Sequence, residues 1–191
     1  MDQRSINSQT RADTYGMRPD LFAALSGNMV KKTDLDALLP MSGTVIIDSS
    51  LGSSVGSNRW LPLTEQVGEM RGCNLSPDPT SGGIVLNEIG QWDVSFRCQV
   101  AATGIVAPEN EIRLETWFDG NMVDRQYSIV TLGMAGNWNL SVDATVIVDE
   151  PGYWVRVYTI VNGGVAADVR HSTKKGTSRM KAQYIYNGSI L

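Results

Sequence analysis

An all-β sandwich is the fold this sequence predicts, and three observations predict it. The first is the stretch that begins at Gly90. From Trp92 onward it alternates without a break, with Trp92, Val94, Phe96, Cys98 and Val100 on one side and Asp93, Ser95, Arg97 and Gln99 on the other. A period of two is what a strand with one buried and one polar face requires. The second is the recurrence of such runs at 111–118, 138–148 and 153–161. The third is turn chemistry between them: Asp119-Gly120, the Pro151-Gly152 turn and the Asn162-Gly163-Gly164 run.

The 92–100 run is expected to be the central strand. A slip of one residue would put Trp92 and Phe96 into water and Arg97 into the core, so its register is strongly fixed. In chain order, Thr44–Asp48 reads as a short strand and Ser49–Ser57 as a Ser/Gly loop. Residues 60–64 read as an edge strand, since Pro62 cannot donate to a ladder. Residues 71–83 have loop composition, and Ile84–Leu86 leads into the central strand. Glu111–Phe118 and 122–132 form a hairpin across Asp119-Gly120. Then come 138–148, 153–161 and 165–170, a polar loop over 171–178, and a closing strand over 180–186. That makes about eight strands in a sandwich over residues 43–191.

Residues 1–42 read differently. The first sixteen are polar and without periodicity. Two short helices follow, one with Leu21, Phe22 and Leu25 as its apolar face, the other carrying Leu35 and Leu38 ahead of Pro40. Neither is long enough to stand alone, so 1–42 is expected to be an anchoring arm that docks through those five side chains.

Composition narrows the function. The chain has 191 residues, 42% hydrophobic and 19% charged, with a net charge of −4. That is a globular composition without the basic balance that nucleic-acid binding demands. No apolar run approaches the roughly 20 residues needed to span a bilayer, and the N-terminus lacks a signal-peptide pattern. The expectation is a protein made in a cytoplasm and not secreted. Two cysteines are too few for a disulfide framework; Cys98 is expected to pack as a small hydrophobe, and a Cys73–Cys98 bridge stays open.

Catalysis finds little support. His171 is the sole histidine, and Asp168 lies three residues away in a turn-prone segment without a nucleophile elbow. His171 is expected to be an exposed loop residue, and the chain is expected not to be an enzyme. Asp119, Asn121 and Asp124 bring oxygen ligands together, yet the spacing is not that of an EF-hand and the hairpin explains it. No cofactor or metal is expected. Trp117 and Trp154 fall opposite the core positions of their strands, where tryptophans stack on sugars or form subunit interfaces.

The run from Ile84 to Phe96, with Gly90 and Trp92 ahead of the alternation, resembles the signature of tumour necrosis factor-like and complement-head-like jelly rolls. The 111–123 hairpin, the Glu150–Val157 strand and the 177–186 closing strand fall in the family's order. The resemblance implies a homotrimer, with Tyr184 and Tyr186 on the axis and Trp117 and Trp154 at the interface. Such knobs recur on tailed-bacteriophage particles. The resemblance therefore implies a virion structural protein, a trimeric capsid decoration protein or short head fibre bound to capsid or other virion proteins through residues 1–42. The alternative is the receptor-binding tip of a tail fibre that holds host surface glycans. No stalk repeat precedes the sandwich, which favours the first.

Overall fold

The computed structural model describes residues 40–103, 108–133, 136–163, 169–174 and 176–186. Residues 1–39 of the arm, with the docking side chains Leu21, Phe22, Leu25, Leu35 and Leu38, lie outside the described residues, as do Asp168 and 165–167 of the expected 165–170 strand; Ser42, expected in the arm, opens the first strand.

Thirteen strands are described. They are β1 (Ser42–Ile46), β2 (Ser54–Gly56), β3 (Arg59–Trp60), β4 (Glu65–Gln66), β5 (Cys73–Leu75), β6 (Ile84–Leu86) and β7 (Gly90–Ala102). They continue as β8 (Glu109–Phe118), β9 (Asn121–Thr131), β10 (Gly136–Val148), β11 (Tyr153–Asn162), β12 (Val169–Ser172) and β13 (Arg179–Tyr186). All named strand pairs are antiparallel. A seven-stranded sheet, sheet I, runs β2-β12-β7-β13-β1-β4, with β10 also paired to β7. A six-stranded sheet, sheet II, runs β5-β6-β11-β8-β9, with β3 also paired to β11.

The sequence-derived centre is the observed centre. β7 is bonded along one edge by β10, from Gly90↔Val148 to Ala102↔Gly136. Its other edge is shared by β13 over residues 91–97 and β12 over residues 100–102. Trp92, Val94, Phe96, Cys98 and Val100 are each at most 1% exposed. They belong to one apolar cluster that also takes Ile84, Leu86, Ile112, Leu114, Val155 and Val157 from sheet II. Both cysteines are free and buried, so the bridge left open by the sequence is absent. Burial pushes the Cys73 thiol up to about 11 and the Cys98 thiol higher still.

Turn chemistry behaves as read. Asp119 and Gly120 both have positive φ, 46° and 74°, the pairing a two-residue hairpin of type I′ requires. Two segments expected as loops carry short strands, and a third short strand falls where no element was expected. β2 lies in the 49–57 stretch, β4 follows the expected edge strand, and β5 lies in 71–83. The edge strand itself shrinks to Arg59–Trp60, beyond which Pro62 is buried. Each short piece is held by a partner strand rather than by its own pattern: β2 by β12, β4 by β1, β5 by β6. Gly82 and Gly83 explain how the 71–83 segment lies so close to its neighbours. A Cβ on Gly82 would sit 2.3 Å from the Leu63 carbonyl oxygen, and one on Gly83 would sit 2.3 Å from that of Val155.

His171 is the clearest departure. It is a core residue of β12, fully buried, standing between Val55 of β2 and Val100 of β7. Neither ring nitrogen has a hydrogen-bond partner among the described residues. Burial pushes its pKa down to about 4, only weakly opposed by the nearby backbone of Gly56 and Val55. The polar residues that follow it made the segment read as loop, yet alternation with Val169 places the ring inward.

Two outcomes follow from this core. Phe96→Ala is expected to destabilise the domain by roughly 3–5 kcal/mol, the usual cost of emptying a buried phenylalanine site. A thermal midpoint within a degree or two of wild type would show the face assignment to be wrong. The second concerns pH. The unfolded chain takes up a proton on His171 near pH 6.5 while the folded chain resists it down to about 4. Stability should therefore be complete above that upper value and decline as pH falls toward the lower one. The slope should approach 1.4 kcal/mol per pH unit, about 3 kcal/mol in all. As the sole histidine, it is the one imidazole that titrates in that window. Urea unfolding at pH 7, 5.5 and 4.5 measures the slope, which His171→Leu should flatten.

Candidate functional site

The outer face of sheet II gathers the side chains that the core does not use. Along β8, Ile112, Leu114 and Thr116 turn inward, which sends Glu111, Arg113, Glu115 and Trp117 outward. Along β11, Val155, Val157 and Thr159 turn inward, which sends Trp154, Arg156 and Tyr158 outward. Register then sets the rows. Trp154 stands opposite Trp117, Arg156 opposite Glu115, and Tyr158 opposite Arg113. The two-residue strand β3 adds Trp60 opposite Tyr158.

Arg156 is the centre of this face. Its guanidinium carbon lies 3.6 Å from the Trp60 ring centroid, 4.1 Å from Trp117 and 4.4 Å from Trp154. Guanidinium over indole is the strongest of the ordinary cation–π pairs, and three rings surround one cation here. The rings brace each other as well: Trp60 meets Trp117 edge-on at 6.2 Å and Tyr158 edge-on at 4.8 Å. The Trp154 indole N–H donates to the Gly82 carbonyl at 2.9 Å, which ties the cage to the glycine-dependent segment.

The nearby acids are already engaged. Glu115 is buried; its Oε1 accepts from Arg125 at 3.0 Å and its Oε2 accepts from the Trp117 indole N–H at 3.0 Å. Glu111 accepts from Arg113 at 2.6 Å. Asp78 accepts from the hydroxyls of Thr80 and Ser81, which hold its carboxyl down at about 2. Burial lowers the Arg156 pKa, while the fields of Glu115 and Asp78 raise it.

Trp117 and Trp154 thus lie on the outer face, as their alternation requires, but half-buried and each hydrogen-bonded. Trp60, which completes their cage, sits in an isolated pair of strand residues with no periodicity to assign its face. Tyr184 packs edge-on against Trp92 at 5.3 Å and donates its hydroxyl to the Ile89 carbonyl at 3.1 Å. Tyr186 ends β13 opposite Gln91. Asp119 and Asn121 serve the hairpin, with the Asn121 amide donating to the Asp119 carbonyl. Among the described residues no three His, Cys, Asp or Glu side chains converge as a metal site. None of their helices is long and apolar enough to cross a membrane.

No protein-family model and no curated protein matches the chain. Among solved structures it is similar to one titled as the structure of Eiger TNF from S. frugiperda, at 10% sequence identity and a TM-score of 0.55. The match covers 77% of this chain and 93% of that one. At that identity the likeness is one of fold alone: the two antiparallel sheets have the fold of a tumour necrosis factor-like jelly roll.

Proposed function

We propose that this protein is a homotrimeric structural protein of a virus particle, a capsid decoration protein or short head fibre of a tailed bacteriophage. The observation that carries the self-association is apolar surface concentrated at one end of the sandwich. Ile89, Ile147 and Ile185 are 51, 53 and 47% exposed. Ile147 pairs with Gln91, Ile185 lies between residues paired to Trp92 and Gln91, and Ile89 directly precedes β7. All three therefore gather at the start of β7, where Tyr184 also anchors its hydroxyl. At the same end, Met122 and Val123 at the start of β9 are 41 and 51% exposed. A compact domain gains by covering such surface, and a closed three-fold ring of copies covers it symmetrically.

The virion assignment is supported by the knob-like fold together with the two short apolar faces, Leu21, Phe22 and Leu25 and then Leu35 and Leu38, in the segment ahead of it. A second reading, a fibre tip that binds host glycans, is favoured by the tryptophan-rich outer face of sheet II.

Light scattering on the full chain is expected to give three times the 20.8 kDa chain mass. Ile147→Asp with Ile185→Asp should lower it to that of one chain. A wild-type monomer at micromolar concentration would end the trimer reading. Because β1 begins at Ser42, deleting residues 1–39 is expected to leave the sandwich folded and trimeric but unable to join particles that lack the protein. Normal incorporation of the truncated chain would place the anchor in the sandwich.

A further inference from the structure

The Arg156 cage is a frame of donors without a free acceptor. Arg156 enters no ion pair among the described residues. Its Nε is enclosed with no partner, whereas its terminal nitrogens are not among the enclosed atoms. The Trp60 indole N–H also has no acceptor among the described residues, unlike those of Trp117 and Trp154. The carboxylates that might have answered Arg156 are taken: Glu115 by Arg125 and Trp117, Asp78 by Thr80 and Ser81. A ligand for this place must bring its own acceptors.

Two further features narrow its chemistry. A guanidinium presents paired N–H groups in a fixed fork that matches a carboxylate, so an oxyanion is the fitting acceptor. The fork is set among indole rings, whose apolar faces and edges suit a flat ligand with C–H surface rather than a bare ion. The footprint of one arginine and three indoles, all within 4.4 Å of one carbon, is that of one or two sugar rings. A stable protein interface needs far more, about 800 Å² from each partner.

We propose that Trp60, Trp117, Trp154 and Arg156 form a binding site for an acidic saccharide. The saccharide's carboxylate meets the Arg156 terminal nitrogens, and its ring lies along the exposed part of Trp60. The site is rigid before binding, since strands β3, β8 and β11 and the Trp154–Gly82 hydrogen bond fix the rings. Preorganisation of this kind keeps the entropy cost of binding low. The site lies on sheet II, away from β13 of sheet I, and does not depend on the particle assignment.

The test uses the full chain and its own indole signals. Sialyllactose and a short oligogalacturonate are titrated against 15N-labelled protein, with lactose, sodium acetate and oligoglutamate as the comparison probes. The expected result is a saturating shift of the Trp60 indole N–H with the two acidic sugars. The Trp92 indole N–H, which donates to the Glu88 carbonyl inside the fold, should stay still. Arg156→Lys keeps the charge but loses the fork, and should weaken binding at least tenfold while the melting temperature stays near wild type. Trp60→Ala, on the short edge strand, should weaken binding likewise, read through the Trp117 and Trp154 indole N–H signals. No shift at millimolar acidic sugar would overturn the proposal. Equal shifts with acetate would reduce the site to a simple anion contact, equal shifts with lactose would remove the role of Arg156, and equal shifts with oligoglutamate would mark a peptide-docking face. Each of those three results rejects the acidic saccharide.

Discussion

Strand β7 is the constraint on which the rest depends, because it has partner strands along both edges and a core face buried from Trp92 to Ala102. Thirteen residues pair with β10 on one side, and the other side is divided between β13 and β12. Neither β12, with four residues, nor β2, with three, has a pattern of its own strong enough to choose a place. β7 chooses it for them, through Val169↔Ala102 and His171↔Val100, and β12 then seats β2. Register errors are excluded at the source, since a shift of one on β7 would expose Trp92 and Phe96 and bury Arg97. The short strands inherit that certainty.

Sheet II follows the same logic around β11, bonded by β8 on one edge and by β6 and β3 on the other. Here the consequence is functional as well as architectural. Because register puts Arg156 opposite Glu115 and Trp154 opposite Trp117, the cation arrives among rings without a separate device to place it. The arrangement also explains how Glu115 tolerates burial. Arg125 from β9 and the Trp117 indole satisfy both its oxygens, and burying a carboxylate without such partners would cost several kcal/mol.

Legibility divided along the range of the interactions. Where the signal is local, the residues suffice. The 92–100 alternation, the Asp119-Gly120 hairpin and the inward faces of 112–118 and 140–148 all stand as the periodicity places them. Where the determinant lies elsewhere in the chain, local reading failed. The segment after residue 170 is rich in Ser, Thr and Lys and resembles a loop, but β7 and β2 on either side turn it into strand and draw His171 inward. The outer cage shows the same limit. Alternation gave Trp117 and Trp154 their face, but Trp60 lies 57 residues before Trp117, in a two-residue strand, and nothing near it points to Arg156. That contact exists only after β3 has found β11.

The two surfaces set apart by this fold have opposite chemistry, and that bears on how one protein could serve two contacts. The end of the sandwich at the start of β7 offers isoleucines, which gain most from being covered by identical surface and contribute no directional selectivity. The outer face of sheet II offers caged guanidinium and indole, whose charge and hydrogen-bond geometry discriminate between ligands but yield little from area alone. In a chain of net charge −4, the Arg156–Glu115–Arg125 row has one cation more than its carboxylate, and the field of Asp78 offsets it. Long-range attraction of anions is therefore weak, and selectivity at that face must come from contact, where the donors and rings are already in place.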